Sequence, residues 1–345
     1  MRFLVLTREF PPHVIGGLSY HLAHLYTALV EQGHEVTVVT GVARDAEEAA
    51  ANLVHDDITV HTVEYGRFAG QHLKFPLCIR RQLRNLPVTT FDVAIAHTPL
   101  PYGLPIPTVG KIHDCPQEER QYYQRERTHV ERVADTLVNP TRRFVDRRFL
   151  AATDHLIFNS ELCLRAWERH YDVPDSRTVV YNGVDTDVFL PREDVPDEEY
   201  VLFVGDSVRK GLLEVSAYAK QADHRVFVVG DVTEPGSNLE TFGRQSQPEL
   251  ARLYAGAVAT VHPAKFEAFG NTVLESLACG TPVVTTRQCG ASELLTAECG
   301  RVDVSLQTGV EECRTLEVDD CVSRARDRAW STVAVETANV LRGVL

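Results

Sequence analysis

The strongest constraint on the fold of this chain lies near its start. Phe3 to Leu6 is a short apolar run without polar alternation, the pattern of a strand buried on both faces of a parallel sheet. A loop with Pro11, Pro12, Gly16 and Gly17 follows. From Leu18, the apolar residues Leu22, Leu25, Tyr26 and Leu29 recur at the three-and-four spacing of one helix face. Gly33 stands where a helix-ending glycine belongs, and Val36 to Val39 reads as the next strand. Strand, helix and strand in this order make a β-α-β unit, with a right-handed crossover and a parallel sheet.

The alternation recurs along the chain. Strand-like runs stand at Ile58–Val63, Asp92–Ala96, Thr108–Ile112, His155–Phe158 and Thr178–Tyr181. A second series runs through Tyr200–Val204, Val226–Val229, Ala259–His262 and Pro282–Thr285. Between the two lies Pro191 to Glu199, a charged, proline-bracketed stretch without periodicity and the best linker in the chain. At 345 residues, about 150 to a domain, two doubly wound α/β domains are expected, with ligands in the cleft at the carboxyl ends of the strands.

Composition excludes more than it assigns. A net charge of −13 argues against a nucleic-acid partner, because phosphate-backbone binding leans on excess Lys and Arg. Lysines stand only at 74, 111, 210, 220 and 265, so a lysine in a loop draws attention. The eight cysteines form no C-x-x-C pair, which suits reduced, buried thiols in a cytoplasmic protein. The apolar start at Met1–Thr7 is too short for a signal peptide, and no stretch approaches the roughly 18 apolar residues of a membrane span. The expectation is a cytoplasmic protein, peripheral to a membrane at most.

Three windows end strands in residues that carry chemistry. In Pro263 to Gly280, a strand gives way to a loop, then to a helix capped by Asn271 and stopped by Gly280. Its N-terminus offers free N–H groups to an anion, and Gly270 permits close backbone approach. Glu267 and Glu275 flank it with acceptors suited to sugar hydroxyls, although on spacing alone they also read as a loop carboxylate and a helix-dipole partner. In Val201 to Gly211, a strand ends at Gly205, and Arg209-Lys210 stands before Gly211, as a phosphate site or a solvated turn. In Thr108 to Asp114, a strand ends at His113, a hydrogen-bonding group for the cleft or a structural histidine. Gly16-Gly17 is not G-x-G-x-x-G, so the dinucleotide fingerprint fails.

Taken in order, these windows resemble glycosyltransferase family 4, nucleotide-sugar transferases with the GT-B fold, over nearly the full length of the chain. The resemblance rests on Pro11-Pro12 with Gly16-Gly17, His113-Asp114, Tyr181-Asn182-Gly183-Val184-Asp185, and Gly205 through Lys210-Gly211. It rests above all on Glu267, seven residues, then Glu275, with Phe269-Gly270 between and Gly280-Thr281-Pro282-Val283-Val284 after.

The resemblance implies two Rossmann-like domains facing across a cleft. Residues 1–190 with 330–345 would form the acceptor side, through a last helix that crosses back, and 191–329 the donor side. A cut near residue 195 would therefore leave the first piece poorly folded. Arg209 and Lys210 are similar to the basic pair on the donor diphosphate. Glu267 with Ala268, Phe269, Gly270 and Asn271 resembles the donor-sugar site, and Glu275 the carboxylate on the nucleotide ribose. His113 resembles the histidine beside the reacting centre, and Gly16-Gly17 the loop over the diphosphate. Such enzymes retain anomeric configuration by a front-face path, with no protein nucleophile, cofactor or obligatory metal, the nucleotide sugar being a co-substrate. A non-catalytic sugar-nucleotide-binding protein and a GT-B sugar-nucleotide epimerase or phosphorylase are the alternatives.

The chain also departs from the family pattern. Asp206 stands where the family usually has Arg, the Gly-to-Lys spacing is one residue short, and the Gly230–Gly243 segment is short. Asp185-Thr186-Asp187 spells a metal motif of an unrelated fold but falls where a structural turn is expected. On the acceptor side, residues 120–148 hold eight arginines against four acids. They read as a solvated helix face or as a dock for anionic lipid or a lipid-linked phosphate.

Overall fold

The computed structural model describes residues 1–13, 17–43, 53–66, 71–232 and 238–345, with backbone alone at 43, 71 and 124–126. Gly16 therefore lies outside the described residues.

The chain builds two parallel sheets. The first holds β1 (Arg2–Thr7), β2 (Glu35–Ala43), β3 (Ile58–Gly66), β4 (Val93–Ala96), β5 (Thr108–Ile112), β6 (His155–Phe158) and β7 (Arg177–Val179) in the order β3-β2-β1-β4-β5-β6-β7. The second holds β8 (Tyr200–Val204), β9 (Arg225–Val229), β10 (Leu239–Phe242), β11 (Ala259–His262), β12 (Val283–Thr285) and β13 (Gly300–Val302) in the order β10-β9-β8-β11-β12-β13. The winding direction reverses beside β1 and beside β8, which opens a crevice at the carboxyl ends of each sheet. The expected strands are all present within a few residues, and the central ones, such as β4, β5 and β11, are buried throughout. Strands β10 and β13 go beyond the expectation. They are short edge strands whose Glu240, Thr241 and Arg301 hide the apolar signal.

Helices of the first unit are α1 (Gly17–Glu31), α2 (Gln71–Gln82), α3 (Pro116–Glu126), α4 (His129–Ala152) and α5 (Glu161–Glu168). The second has α6 (Leu212–Ala219), α7 (Gln247–Ala255), α8 (Asn271–Ala278), α9 (Leu306–Cys313) and α10 (Val318–Arg326), and α11 (Trp330–Arg342) ends the chain. In α8 the cap differs from expectation by one residue. Gly270 takes the cap position in the left-handed region (φ +93°), where a β-carbon would come within 2.6 Å of Cys289 Sγ. The Asn271 side chain is used elsewhere, its Oδ1 accepting from Asn182 Nδ2 at 3.0 Å.

The last helix belongs to the first core. Val333, Ala334, Ala338 and Leu341 of α11 are buried with Phe3, Val5, Leu22, Leu25 and Tyr26, and α11 packs along α1. Arg328 fastens the crossing, donating to Tyr181 O at 2.8 Å and to both carboxylate oxygens of Glu336 at 2.9 and 3.0 Å. A side chain at Gly183 would meet the Trp330 ring at 2.8 Å. All eight cysteines are free thiols, and no helix among the described residues is long and apolar enough to cross a membrane.

Removing residues 330–345 strips the first core of these four buried side chains. The expected loss is about 5 kcal/mol, a large share of the stability of an ordinary domain, read as an earlier urea midpoint by circular dichroism. An unchanged midpoint would show that α11 is dispensable.

Candidate functional site

The two crevices face each other, and the loop from Pro263 to Gly270 is stitched to the first unit. Ser160, the N-cap of α5, donates to Ala268 O at 2.5 Å, and the Tyr122 hydroxyl donates to Lys265 O at 3.0 Å. Glu293 reaches across to accept from Glu161 N and Leu162 N at 2.9 and 2.7 Å. These contacts hold Ala268 and Phe269 nearly fully buried, so this part of the loop shapes the site through its backbone.

Glu267 sits at the centre of the charged groups. Arg209 donates from Nη1 to its carboxylate at 3.0 Å and to Phe266 O at 2.8 Å. The same guanidinium lies 3.6 Å from Glu119 of α3 and over the Tyr123 ring. Burial alone would raise the Glu267 carboxyl, but Arg209, Lys210 and His262 overcome it and hold it below its ordinary range. Glu119 has the opposite fate. Burial, then the neighbouring Asp114, push it up to about 8 against the pull of Arg209. Arg209 is thus committed to two carboxylates rather than open to a ligand, and Lys210 is the cation whose charge also acts on Glu275.

One turn into α8, burial raises Glu275, while the hydrogen bond from the Tyr254 hydroxyl (2.9 Å) and Lys210 offset part of that rise. Glu275 lines a cavity of about 230 Å³ with Asn271, Gly17, His24, Asp185 and Gln245. Asp185 makes the expected turn, its Oδ1 accepting from Asp187 N at 3.0 Å, and it also pairs with His24. The N-cap Gly270 supplies no side-chain cap, so among the described residues the first N–H groups of α8 stay available to an anion. Gly211, also left-handed (φ +101°), lets the turn after Lys210 press against Pro263, where a β-carbon would lie 2.4 Å from the Pro263 carbonyl oxygen.

His113 lines a larger cavity of about 360 Å³ in the first unit, with His97, Lys111, Asp114, Arg142 and Phe149. Its Nε2 lies 2.7 Å from His97 Nδ1, and Asn159 Nδ2 donates to its carbonyl at 2.8 Å. Burial, then the neighbouring Lys111, hold His113 well below the usual histidine range. Of the seven arginines between 120 and 148 whose side chains are described, three meet at one buried carboxylate. Arg120, Arg127 and Arg142 converge on the buried Asp135 at 2.5, 3.1 and 3.6 Å. Neither reading of the run from sequence anticipated that inward cluster.

The structure therefore gathers Glu267, Ala268, Phe269, Gly270, Asn271 and Glu275 along one loop and helix, with Arg209 and Lys210 brought in from the turn after β8 and Gly17 lining the same cavity as Glu275. His113 stands on the opposite sheet. Sequence reasoning passed over Glu119, Tyr123, Ser160 and His97. Only His97 carried a usable signal, a polar residue directly after a buried strand at the switch point, as His113 is.

Comparison with known proteins gives the family and the fold. The family profile described as Glycosyltransferase Family 4 matches residues 15–188, and that described as Glycosyl transferases group 1 matches residues 193–301. The chain is 24% identical over 324 residues to an uncharacterized glycosyltransferase of Methanocaldococcus jannaschii, covering 82% of this chain and 80% of that one. Its fold matches sucrose-phosphate synthase from Thermosynechococcus elongatus with a TM-score of 0.77 at 18% identity, over 100% and 99% of the two chains. It also matches Anabaena HepE in complex with UDP and glucose, at 0.69 and 18%, over 99% and 100%. The two sheets have the GT-B arrangement.

Lys111 sets a pH signature. It is 1% exposed, its Nζ has no hydrogen-bond partner among the described residues, and burial, then the positive Arg328, lower it to about 7 despite Glu336. Unfolding returns the amine to its ordinary value of 10.5, so the unfolded chain binds the extra proton between about 7 and 10.5. Stability from this group therefore rises with pH across that window. Lys111→Met should be more stable than wild type at pH 6.5. That advantage, on the order of a few kcal/mol, should fade by pH 10 in urea titrations. Parallel pH profiles for the two proteins would refute the assignment.

Proposed function

We propose a reaction for a chain that belongs to glycosyltransferase family 4 and is a sugar-transferring enzyme: transfer from a nucleoside-diphosphate sugar to a hydroxyl of a glycan or lipid-linked acceptor, with retention of anomeric configuration. The observation that carries this reading is the pair Glu267 and Glu275 on either side of the uncapped α8 N-terminus, with Lys210 acting on both. An anion at that helix end meets aligned N–H groups and a lysine, which is the environment a departing diphosphate needs. The HepE structure holds UDP and glucose, and a donor of the same class is proposed here.

In this reading, Glu267, kept ionised by Arg209, accepts hydrogen bonds from the donor sugar. Glu275 accepts from the nucleotide ribose beside Gly17. Lys210 and the α8 N-terminus stabilise the leaving diphosphate, while Arg209 positions Glu267 rather than touching phosphate. The acceptor enters the 360 Å³ cavity beside His113, a volume at the lower end of small-molecule sites, which suits one terminal residue of a longer acceptor. The new C–O bond forms on the face that the diphosphate leaves, and the acceptor proton passes to the departing phosphate oxygen. No side-chain nucleophile or metal takes part.

A lipid-linked acceptor gains support from the outer faces of the neighbouring helices α2 and α4. Leu77, Val130, Leu137 and Phe144 are each at least 60% exposed there, among the exposed Arg81, Arg84, Arg132, Arg147 and Arg148. Exposed apolar side chains with arginines suit the surface of an anionic bilayer.

Lys210→Ala should lower kcat by about 100-fold or more, and Glu275→Gln should weaken nucleotide binding about tenfold. Wild-type turnover in either variant sinks the assignment. A thermal-shift panel of UDP-, GDP- and ADP-sugars identifies the donor, since a ligand at 100 times its Kd adds about 2.7 kcal/mol. For the acceptor, sedimentation with anionic liposomes at low salt is expected, and its absence removes the membrane part.

A further inference from the structure

Beneath the cleft, three side chains from three elements form one hydrogen-bonded file. Tyr26 of α1 is fully buried, and its hydroxyl oxygen lies 2.5 Å from His97 Nε2. His97 follows β4, and its Nδ1 lies 2.7 Å from Nε2 of His113, which follows β5 and lines the larger cavity. The two imidazole planes lie within 23° of each other with centroids 5.1 Å apart, and His21 meets His113 edge-on.

Counting protons sets the direction of the file. Burial keeps both imidazoles neutral, aided by Lys111, and keeps the Tyr26 hydroxyl protonated. A neutral imidazole carries one N–H and a phenol one O–H, so three protons serve two hydrogen bonds. The third proton faces one end of the file. If the file ran inward, His113 would donate to His97 and His97 to the tyrosine oxygen. The Tyr26 proton would then point into the interior, where the fully buried hydroxyl has no other partner among the described residues. A buried donor without an acceptor is the expensive arrangement. Running outward, Tyr26 donates to His97 Nε2 and His97 Nδ1 donates to His113 Nε2. His113 Nδ1–H, which has no partner within the described chain, is then left for the cleft.

We propose that Tyr26, acting through His97, fixes His113 as an Nδ1–H donor toward the reaction cleft. Tyr26 and His97 are positioning residues, and His113 is the group that meets substrate. The inference rests on the reading above that transfer takes place beside His113, and it sharpens that reading. A histidine held in this tautomer donates to a hydroxyl or phosphate oxygen and has no free lone pair to take the acceptor proton. That proton goes to the departing phosphate oxygen as the sugar–phosphate bond breaks.

The tautomer is directly measurable. Long-range proton–nitrogen correlation spectra of histidine-labelled protein distinguish a protonated ring nitrogen from a bare one, and His113→Gln identifies the His113 signals. Wild type should show His113 with Nδ1 protonated and Nε2 bare. Tyr26→Phe removes only the hydroxyl and should send His113 to a mixture with the Nε2–H form. It should also lower kcat about tenfold while the donor KM stays within twofold. His97→Asn places an amide N–H near the position of Nδ1 and should keep the tautomer and most of kcat, whereas His97→Leu should lose both. The Asn and Leu pair carries the test even where Tyr26→Phe fails to fold.

Wild-type His113 in the Nε2–H form overturns the proposal. So does a folded Tyr26→Phe, or a folded His97→Leu, with an unchanged His113 spectrum. Failure of the transferase reading looks different, as the expected tautomer in a protein that neither binds nor turns over any nucleotide sugar.

Discussion

Arg209 is the cation on which the site depends. It leaves the turn after β8, is nearly fully buried, and shares its guanidinium between Glu119 of the first unit and Glu267 of the second. Burying three charges together is expensive, and removing one partner of such a cluster does more damage than the cluster adds in stability. Here the arrangement sets two carboxylates apart. Glu267 stays ionised beside the α8 N-terminus, while Glu119 is held up to about 8. The hydrogen bond to Phe266 O fixes the backbone one residue before Glu267, so the cation sets both the charge and the place of that carboxylate.

The frame of the fold was legible because central parallel strands leave a simple trace. Thr108–Ile112, His155–Phe158, Tyr200–Val204 and Ala259–His262 were read to the residue, since burial on both faces writes a continuous apolar run. Edge strands β10 and β13 leave none, because one side faces solvent and few residues pair. The left-handed Gly270 was recognised as a point of close approach, but not as the cap. Asn271 has the better capping side chain, and only the contact with Asn182 shows that it is engaged elsewhere.

The candidate site was legible where it is local. Glu267 to Glu275 lies on one loop and one helix, so spacing alone brings its members together. The Tyr26–His97–His113 file has partners 71 and 16 positions apart, and no periodicity joins them. The arginines teach the same lesson in charge. A count along residues 120–148 suggests a basic outer face, yet the hairpin of α3 and α4 folds Arg120, Arg127 and Arg142 inward around Asp135, leaving others to solvent. Net charge constrains solubility and partners at long range, while each guanidinium is placed by its helix.

The return of α11 to the first core also orders events during synthesis. Arg328 and its acceptor, the Tyr181 carbonyl, are 147 positions apart. At roughly 5–20 residues per second, a ribosome takes about 7–30 s to travel that distance. Through that interval the apolar groove along α1 has no cover, although its own sheet is already synthesised. The second unit can close in the meantime, since its strands lie between those two residues. The first half of the chain to be made is thus the last to be finished, and its exposed groove is where a chaperone would find this protein while it is still being translated.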